Sequence, residues 1–260
     1  MNRQNPCRCS GSAEKRGRGD AGFTLLELAT AILVVTILAG ILVPALAASR
    51  SGSARAVCIN NLRQLGVAEL MYASENWDYI PFPNWGITKS PGWLYASTNN
   101  VIPDPTSPAF TNNPAAAYSS GLWFNYVRNP KIYLCPTDVE SRWFPQRQNK
   151  LSSYIMNGAV CGYTGDYRSC KISDAWNTAC FLLYTPDEIA SGGGYGLAFN
   201  DGASFPTASE GFGRLHTPNG ADILTVAGNV RFFSTQQIVH EQNASGKTLA
   251  WWSPFVTGGP

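Results

Sequence analysis

Between Phe23 and Ala48 the chain carries one ionisable side chain, Glu27, in a run dominated by Leu, Ile, Val and Ala. As an α-helix rising about 1.5 Å per residue, such a run spans roughly the 30 Å hydrocarbon core of a bilayer. The segment therefore reads as membrane-spanning. Residues 1–22 before it hold Arg3, Arg8, Lys15, Arg16 and Arg18 against Glu14 and Asp20. By the positive-inside tendency this basic leader stays in the cytoplasm and the chain beyond residue 50 crosses to the other side. The net charge of +2 is thus unevenly spread, since the leader leaves only 14 of the 19 basic and 15 of the 17 acidic residues to everything after it. A near-neutral body offers no electrostatic footprint for nucleic acid, and no nucleic-acid partner is expected.

A secretory signal is the simpler alternative, with "ALAAS" (45–49) as a small-residue cleavage site. The apolar run is longer than such a signal needs, and that reading gives Glu27 nothing to do. A carboxylate near the start of an apolar helix costs several kcal/mol (order of magnitude) unless it stays at the interface or finds a cation. No Lys or Arg lies within the run. The remaining cation is a free α-amino group, created by cutting the chain at Gly22-Phe23, where the polar leader meets the apolar segment.

At this point "GFTLLELATAILVVTILAGILVPAL" resembles the class III signal of type IV prepilins and type II secretion pseudopilins. The pattern is a short basic leader ending in Gly22, Phe23 as first mature residue, then Thr24-Leu25-Leu26 and Glu27. Pro44 stands where that family commonly bends its helix. The resemblance implies cleavage after Gly22 by prepilin peptidase, an inner-membrane aspartic protease, and methylation of the new Phe23 amine. It further implies that Glu27 pairs with the N-terminal amine of a neighbouring subunit as protomers leave the membrane for a filament.

Pro44 removes one helical hydrogen bond, so it either bends the helix or ends it. A bend is favoured because helical periodicity resumes afterwards. Cys58, Leu62, Leu65 and Tyr72 fall on one face, with Arg55, Arg63, Gln64 and Glu69 mostly elsewhere. The chain is accordingly divided into a leader (1–22), a transmembrane or filament-core helix (23–48), an amphipathic continuation (49–76) and an exported head (77–260). "CINNLRQLGVAELMYASENWDYIP" (58–81) also resembles a subgroup of prepilin-like proteins from planctomycete and verrucomicrobial genomes, marked by a Cys-x-x-Asn-Leu-x-Gln run.

Residues 77–120 lack regular pattern and are rich in Pro, Asn, Ser and Trp, which reads as a long loop. A short helix is expected within 119–129. "KIYLCP", "SSYIMNG", "ACFLLYT", "YGLAFN" and "ADILTVAGNVRFF" read as strands. The last is a hairpin, with Gly228-Asn229 making a tight primed turn between Ile223–Val226 and Val230–Phe233. The tail after Ser234 has no clear pattern. The expected fold is α+β and pilin-like, a long N-terminal spine helix packed against an antiparallel β-sheet head with long loops. The subgroup resemblance continues through "KIYLCPTD" and "LSSYIMNG". It weakens at "RLHTPNGADILTVAGNVRFF", where His216 is followed by Ala227-Gly228 in place of the subgroup's Asp-Gly, so any role of that aspartate does not transfer.

Cys7 and Cys9 fall in the leader, leaving Cys58, Cys135, Cys161, Cys170 and Cys180 in the exported part. An oxidising compartment permits disulfides, and the odd count leaves at least one thiol free. The subgroup resemblance implies the pair Cys58–Cys135. Cys161 and Cys170 can close the loop "CGYTGDYRSC", leaving Cys180 as a buried thiol. Zinc is the competing use, but no Cys-x2-4-Cys knuckle is present, and no metal or cofactor is expected.

Catalytic chemistry finds little support. Only His216 and His240 are present, Asp187-Glu188 sits in a turn-like stretch, and "SGGGYG" (191–196) lacks the strand-to-helix context of a phosphate loop. The eight tryptophans allow a second role, a membrane-anchored surface module binding polysaccharide or protein through Trp77, Trp85 and Trp93. The preferred expectation is a non-enzymatic subunit of a pilus or pseudopilus, single-pass in the inner membrane, with its head in the periplasm or displayed on a filament. Its implied partners are prepilin peptidase, other pilin or pseudopilin subunits, the inner-membrane assembly platform with its cytoplasmic ATPase, and membrane lipid.

Overall fold

The computed structural model describes residues 24–186, 199–207 and 209–258, with the side chains of residues 44, 45, 47, 48, 50 and 51 outside the described set. The chain divides into two compact units, Met1–Ala48 and Ser49–Pro260. Helix α1 (Leu25–Glu75) contributes to both. It continues through Pro44, so the proline does not end it.

In the first unit, Leu25–Val43 is long and apolar enough to cross a membrane, and none of it is buried within the chain. Its polar side chains are satisfied locally. Thr30 Oγ1 donates to the Glu27 carbonyl at 3.0 Å, and Thr36 Oγ1 donates to the carbonyls of Ile32 and Leu33. Such back-bonding to the preceding turn is what hydrocarbon demands of a hydroxyl, because no water is available to accept it.

In the second unit, one face of α1 enters the core through Cys58, Leu62, Leu65, Ala68 and Ala73. Tyr72 lies at its edge, only partly buried. Glu69 corrects the expected face assignment. It lies four residues after Leu65 and eleven after Cys58, on the same stripe, and is fully buried. Gly66 permits the closest approach: a Cβ there would stand 2.7 Å from the Gly228 carbonyl oxygen and 2.8 Å from Leu224 Cδ1.

The sheet has five strands, β1 (Ile155–Asn157), β2 (Phe181–Tyr184), β3 (Ala203–Ser204), β4 (Gly220–Thr225) and β5 (Val230–Ser234). Their order is β3-β1-β2-β4-β5. The sheet is mixed rather than antiparallel, because β1 and β3 run parallel, pairing Met156 with Ala203. A register shift between Phe181 and Leu183 interrupts the β2–β4 ladder. Along β4 the side chains alternate, Leu224 joining the core shared with α1 and Ile223 the core under Phe233 and Ile238. The β4–β5 hairpin forms with a different turn from the expected one. Gly228 N donates to the Thr225 carbonyl and Thr225 N to the Asn229 carbonyl, both at 2.9 Å. The loop is thus Val226–Gly228, with Gly228 supplying the left-handed φ of +75°.

One other expectation needs correction. "KIYLCP" is not a strand: Pro130 opens a 3-10 turn (Pro130–Tyr133) and Pro136 opens α3 (Pro136–Val139). Proline at a first helical position has φ preset and no N–H to leave unpaired, and Asn129 caps the first turn by accepting from Lys131 N. The helix within 119–129 is a single turn, α2 (Phe124–Val127). The tail contains α4 (Thr235–Asn243), opened by a capping box in which Ser234 and Gln237 exchange hydrogen bonds. The expected strand "YGLAFN" begins in residues outside the described set, as do Asp187, Glu188 and "SGGGYG".

The long loop after α1 is held by side chains. Buried Asn84 donates from Nδ2 to the Tyr95 carbonyl at 2.8 Å and accepts on Oδ1 from Leu94 N at 3.1 Å. Backbone bonds such as Trp93 N to the Phe82 carbonyl at 2.9 Å add to this hold, and Trp93, Leu94 and Tyr95 reach the core.

Candidate functional site

Gly22 and Phe23 lie outside the described residues; the adjoining start of α1 does not. Glu27 Oε2 accepts from Thr24 N and from Thr24 Oγ1, each at 2.9 Å, and Thr24 Oγ1 accepts from Glu27 N at 3.2 Å. This is a capping box, with Thr24 as cap and Glu27 at the third helical position. The sequence signal for it is the Thr-x-x-Glu spacing before an apolar run, which the search for a cation overlooked. One carboxylate oxygen, Oε2, serves the helix's own first turn. A carboxylate carries two oxygens and about four lone-pair sites, so the cap leaves capacity for a cation.

A second cluster ties α1 of the head to the segment around α3. Cys58 and Cys135 form a disulfide with Cα atoms 5.3 Å apart. Asn61, one turn along, donates to the Leu134 carbonyl at 2.9 Å, and Leu62 enters the core beside it. Cys58, Asn61 and Leu62 therefore occupy one helical face and make one contact strip. The far side is fixed in turn: Cys135 N donates to Ser153 Oγ, and Asp138 pairs with Arg147 through two bonds of 2.6 Å, both side chains 1% exposed. Arg55 adds a bidentate pair to Asp222 on β4 at 2.8 and 2.9 Å.

His216 stands in this cluster, its Nε2 3.2 Å from Cys135 Sγ and its Nδ1 3.5 Å from Thr137 Oγ1. Burial lowers its pKa, with Asp222 opposing and Arg55 reinforcing that shift. Nothing in the spacing of His216 from Cys58 or Cys135 announces the contact.

The other expected site residues separate. Cys161 and Cys170 are free and buried, so the small-loop disulfide is not formed. Cys170 N donates to the Val160 carbonyl at 3.0 Å, so backbone pairing closes that loop instead. Burial pushes the Cys161 thiol up to about 11 and the Cys180 thiol up to about 12, which favours the protonated form of both.

Of the three candidate ligand tryptophans, Trp93 is fully buried and donates from Nε1 to the carbonyls of Pro83 and Gly202. Trp85 packs into a ring cluster with Tyr163 and Phe205. Trp93 is core rather than platform, whereas Trp85 is half-buried. Trp77 is 87% exposed and sits at the C-terminal end of α1 with a left-handed φ of 59°.

Comparison with family models, curated proteins and solved structures finds no match for this chain.

Proposed function

We propose that the chain is a structural subunit of a pilus or pseudopilus-like filament, processed by prepilin peptidase and assembled from the inner membrane. The observation that supports this reading is the start of α1. A bilayer-length apolar helix that is unburied within its own chain opens on a carboxylate held at a fixed place by its cap. An apolar helix with no internal cover must be covered by lipid or by copies of itself, and a filament core supplies the second once the first is left behind. The capped Glu27 has the position and the spare acceptor capacity to receive the methylated amine of a neighbouring Phe23, fixing the register between protomers. The head is then a passenger bound to α1 by the Cys58–Cys135 strip. In this reading the partners are prepilin peptidase, neighbouring subunits, the inner-membrane assembly platform and lipid.

The test is N-terminal peptide mass spectrometry on protein from its native membrane, followed by filament recovery from Glu27→Ala cells. The expected result is a chain beginning at N-methylated Phe23 and a loss of filaments in the variant. A chain beginning near Ser49, or assembly indifferent to Glu27→Ala, overturns the proposal and leaves the helix as a signal or an anchor.

A further inference from the structure

We propose that Cys58, Cys135 and His216 form a redox-gated binding site for a zinc-type divalent cation, closed by the disulfide and opened by its reduction. Among the described residues these are a group of three metal-type donors whose ligand atoms all lie within 4.8 Å of one another. A tetrahedral zinc ion with Zn–S of about 2.3 Å and Zn–N of about 2.0 Å has S···S and S···N edges of about 3.8 and 3.5 Å. The observed Nε2 to Cys135 Sγ separation of 3.2 Å is close to the second edge. Opening the S–S bond has only to move the sulfurs from about 2.05 to about 3.8 Å apart, within reach of χ1 rotation. The Cα separation of 5.3 Å need not change much.

The surroundings fit a three-ligand site with an open fourth position. A small cavity of about 20 Å³, lined by Cys58, Tyr154, His216, Thr217 and Asp222 among others, lies on the Cys58 and His216 side of the group. That is room for a single water, which completes a tetrahedron. Thr137 Oγ1 stands beside His216 Nδ1, on the side of the ring away from the sulfur, and orients Nε2 toward it. The missing Cys-x2-4-Cys knuckle is no obstacle, since α1 and the turn before α3 bring the two cysteines together across a separation of 77 residues.

The chemistry balances with a dithiol reductant. It gives two electrons and two protons to the Cys58–Cys135 bond, which breaks to two thiols as the reductant closes its own disulfide. The cation then displaces the two thiol protons and takes the imidazole lone pair. The site is equally open to a newly exported chain whose disulfide has not yet formed, where the cation would hold α1 to the α3 segment before oxidation does.

The experiment is cobalt titration of the full chain in detergent, reduced by a phosphine and then freed of it under nitrogen. Cobalt(II) reports thiolate ligation by a near-ultraviolet charge-transfer band and tetrahedral geometry by strong visible bands. The expected result is one cobalt bound per reduced chain, displaced by zinc, and none per oxidised chain. Cys135→Ser should remove the charge-transfer band, and His216→Ala should weaken binding by at least about tenfold. His216→Gln, which keeps a polar side chain of similar reach, guards against a folding defect, with tryptophan fluorescence as the check. No band in the folded reduced protein overturns the proposal. So does a band that survives Cys135→Ser or is unmoved by both His216 variants, since the metal would then sit on Cys7, Cys9, Cys161, Cys170 or Cys180.

Discussion

Replacing Glu69 with methionine should stabilise the head, by an amount that grows with pH. Glu69 is fully buried in the face of α1 that meets the sheet, and among the described residues neither carboxylate oxygen has a hydrogen-bond partner. Burial alone raises its pKa well above the ordinary carboxylate value. The folded chain therefore keeps Glu69 protonated at pH values where the unfolded chain has released the proton. With more protons bound in the folded state, stability falls as pH rises, from the unfolded pKa near 4.5 up to the raised folded value. The loss in that window approaches about 1.4 kcal/mol per pH unit. Below it, the neutral but unpaired carboxyl still costs about 1–3 kcal/mol of desolvation.

Methionine is unbranched, of similar volume and without polar atoms, so it removes both contributions with little repacking. The expected gain is about 1–3 kcal/mol near pH 4 and larger near pH 7. The assay is urea unfolding of both full chains in detergent followed by tryptophan fluorescence. All eight tryptophans lie at or after residue 77, so the signal reports the head alone. Asp201, buried and raised to about 6, and Glu210, half-buried and raised to about 7, both chiefly by desolvation, titrate in both chains and cancel in the difference. A loss of stability in Glu69→Met, or a gain identical at both pH values, would show that the carboxyl has a partner and refute the reasoning.

Two further outcomes follow from the same packing. Asp138→Ala removes the bidentate carboxylate from the buried Arg147 guanidinium, which keeps its stack on the Phe199 ring, and should cost about 1–3 kcal/mol in the same urea assay; an unchanged unfolding midpoint would refute the reading of this pair as a stabilising contact. Trp77→Gly should raise stability by up to about 1 kcal/mol, because glycine relieves the left-handed φ and gives back part of the gain as unfolded-state entropy. Destabilisation by Trp77→Gly would show that this exposed ring is packed in the assembled protein.

Much of the first unit was legible because its information is local. An apolar run with one acidic residue needs no distant partner to be read as a helix, and Thr24-x-x-Glu27 states its own start. The cap of α4 was equally readable in Ser234-x-x-Gln237. The strands with β-branched and aromatic runs, β2, β4 and β5, formed where the pattern placed them. Elsewhere local pattern misled. "KIYLCP" has a strand's composition, yet the prolines on either side fix φ for helical turns, and those turns set Cys135 and the Leu134 carbonyl against Cys58 and Asn61. The loop after α1 was opaque because its order comes from Asn84 bonding to residues ten and eleven positions away. The two residues of β3 carry no pattern at all, and only their parallel pairing with β1 makes them a strand.

The two glutamates that frame α1 show why charge is the hardest signal to place. Glu27 interrupts an apolar run, so its cost was visible and a partner was sought; the nearest one, Thr24, lay three residues away within the same turn. Glu69 has apolar neighbours on both sides, Val67-Ala68 and Leu70-Met71, and charge alone assigned it to the surface. Its spacing from Cys58, Leu62 and Leu65 nevertheless puts it on the buried stripe, since a helix returns to the same face after eleven residues as it does after four and seven. Periodicity read only from apolar residues assigns every carboxylate to solvent by default. Read from positions alone, it would have placed Glu69 inside and raised the question that the methionine substitution answers.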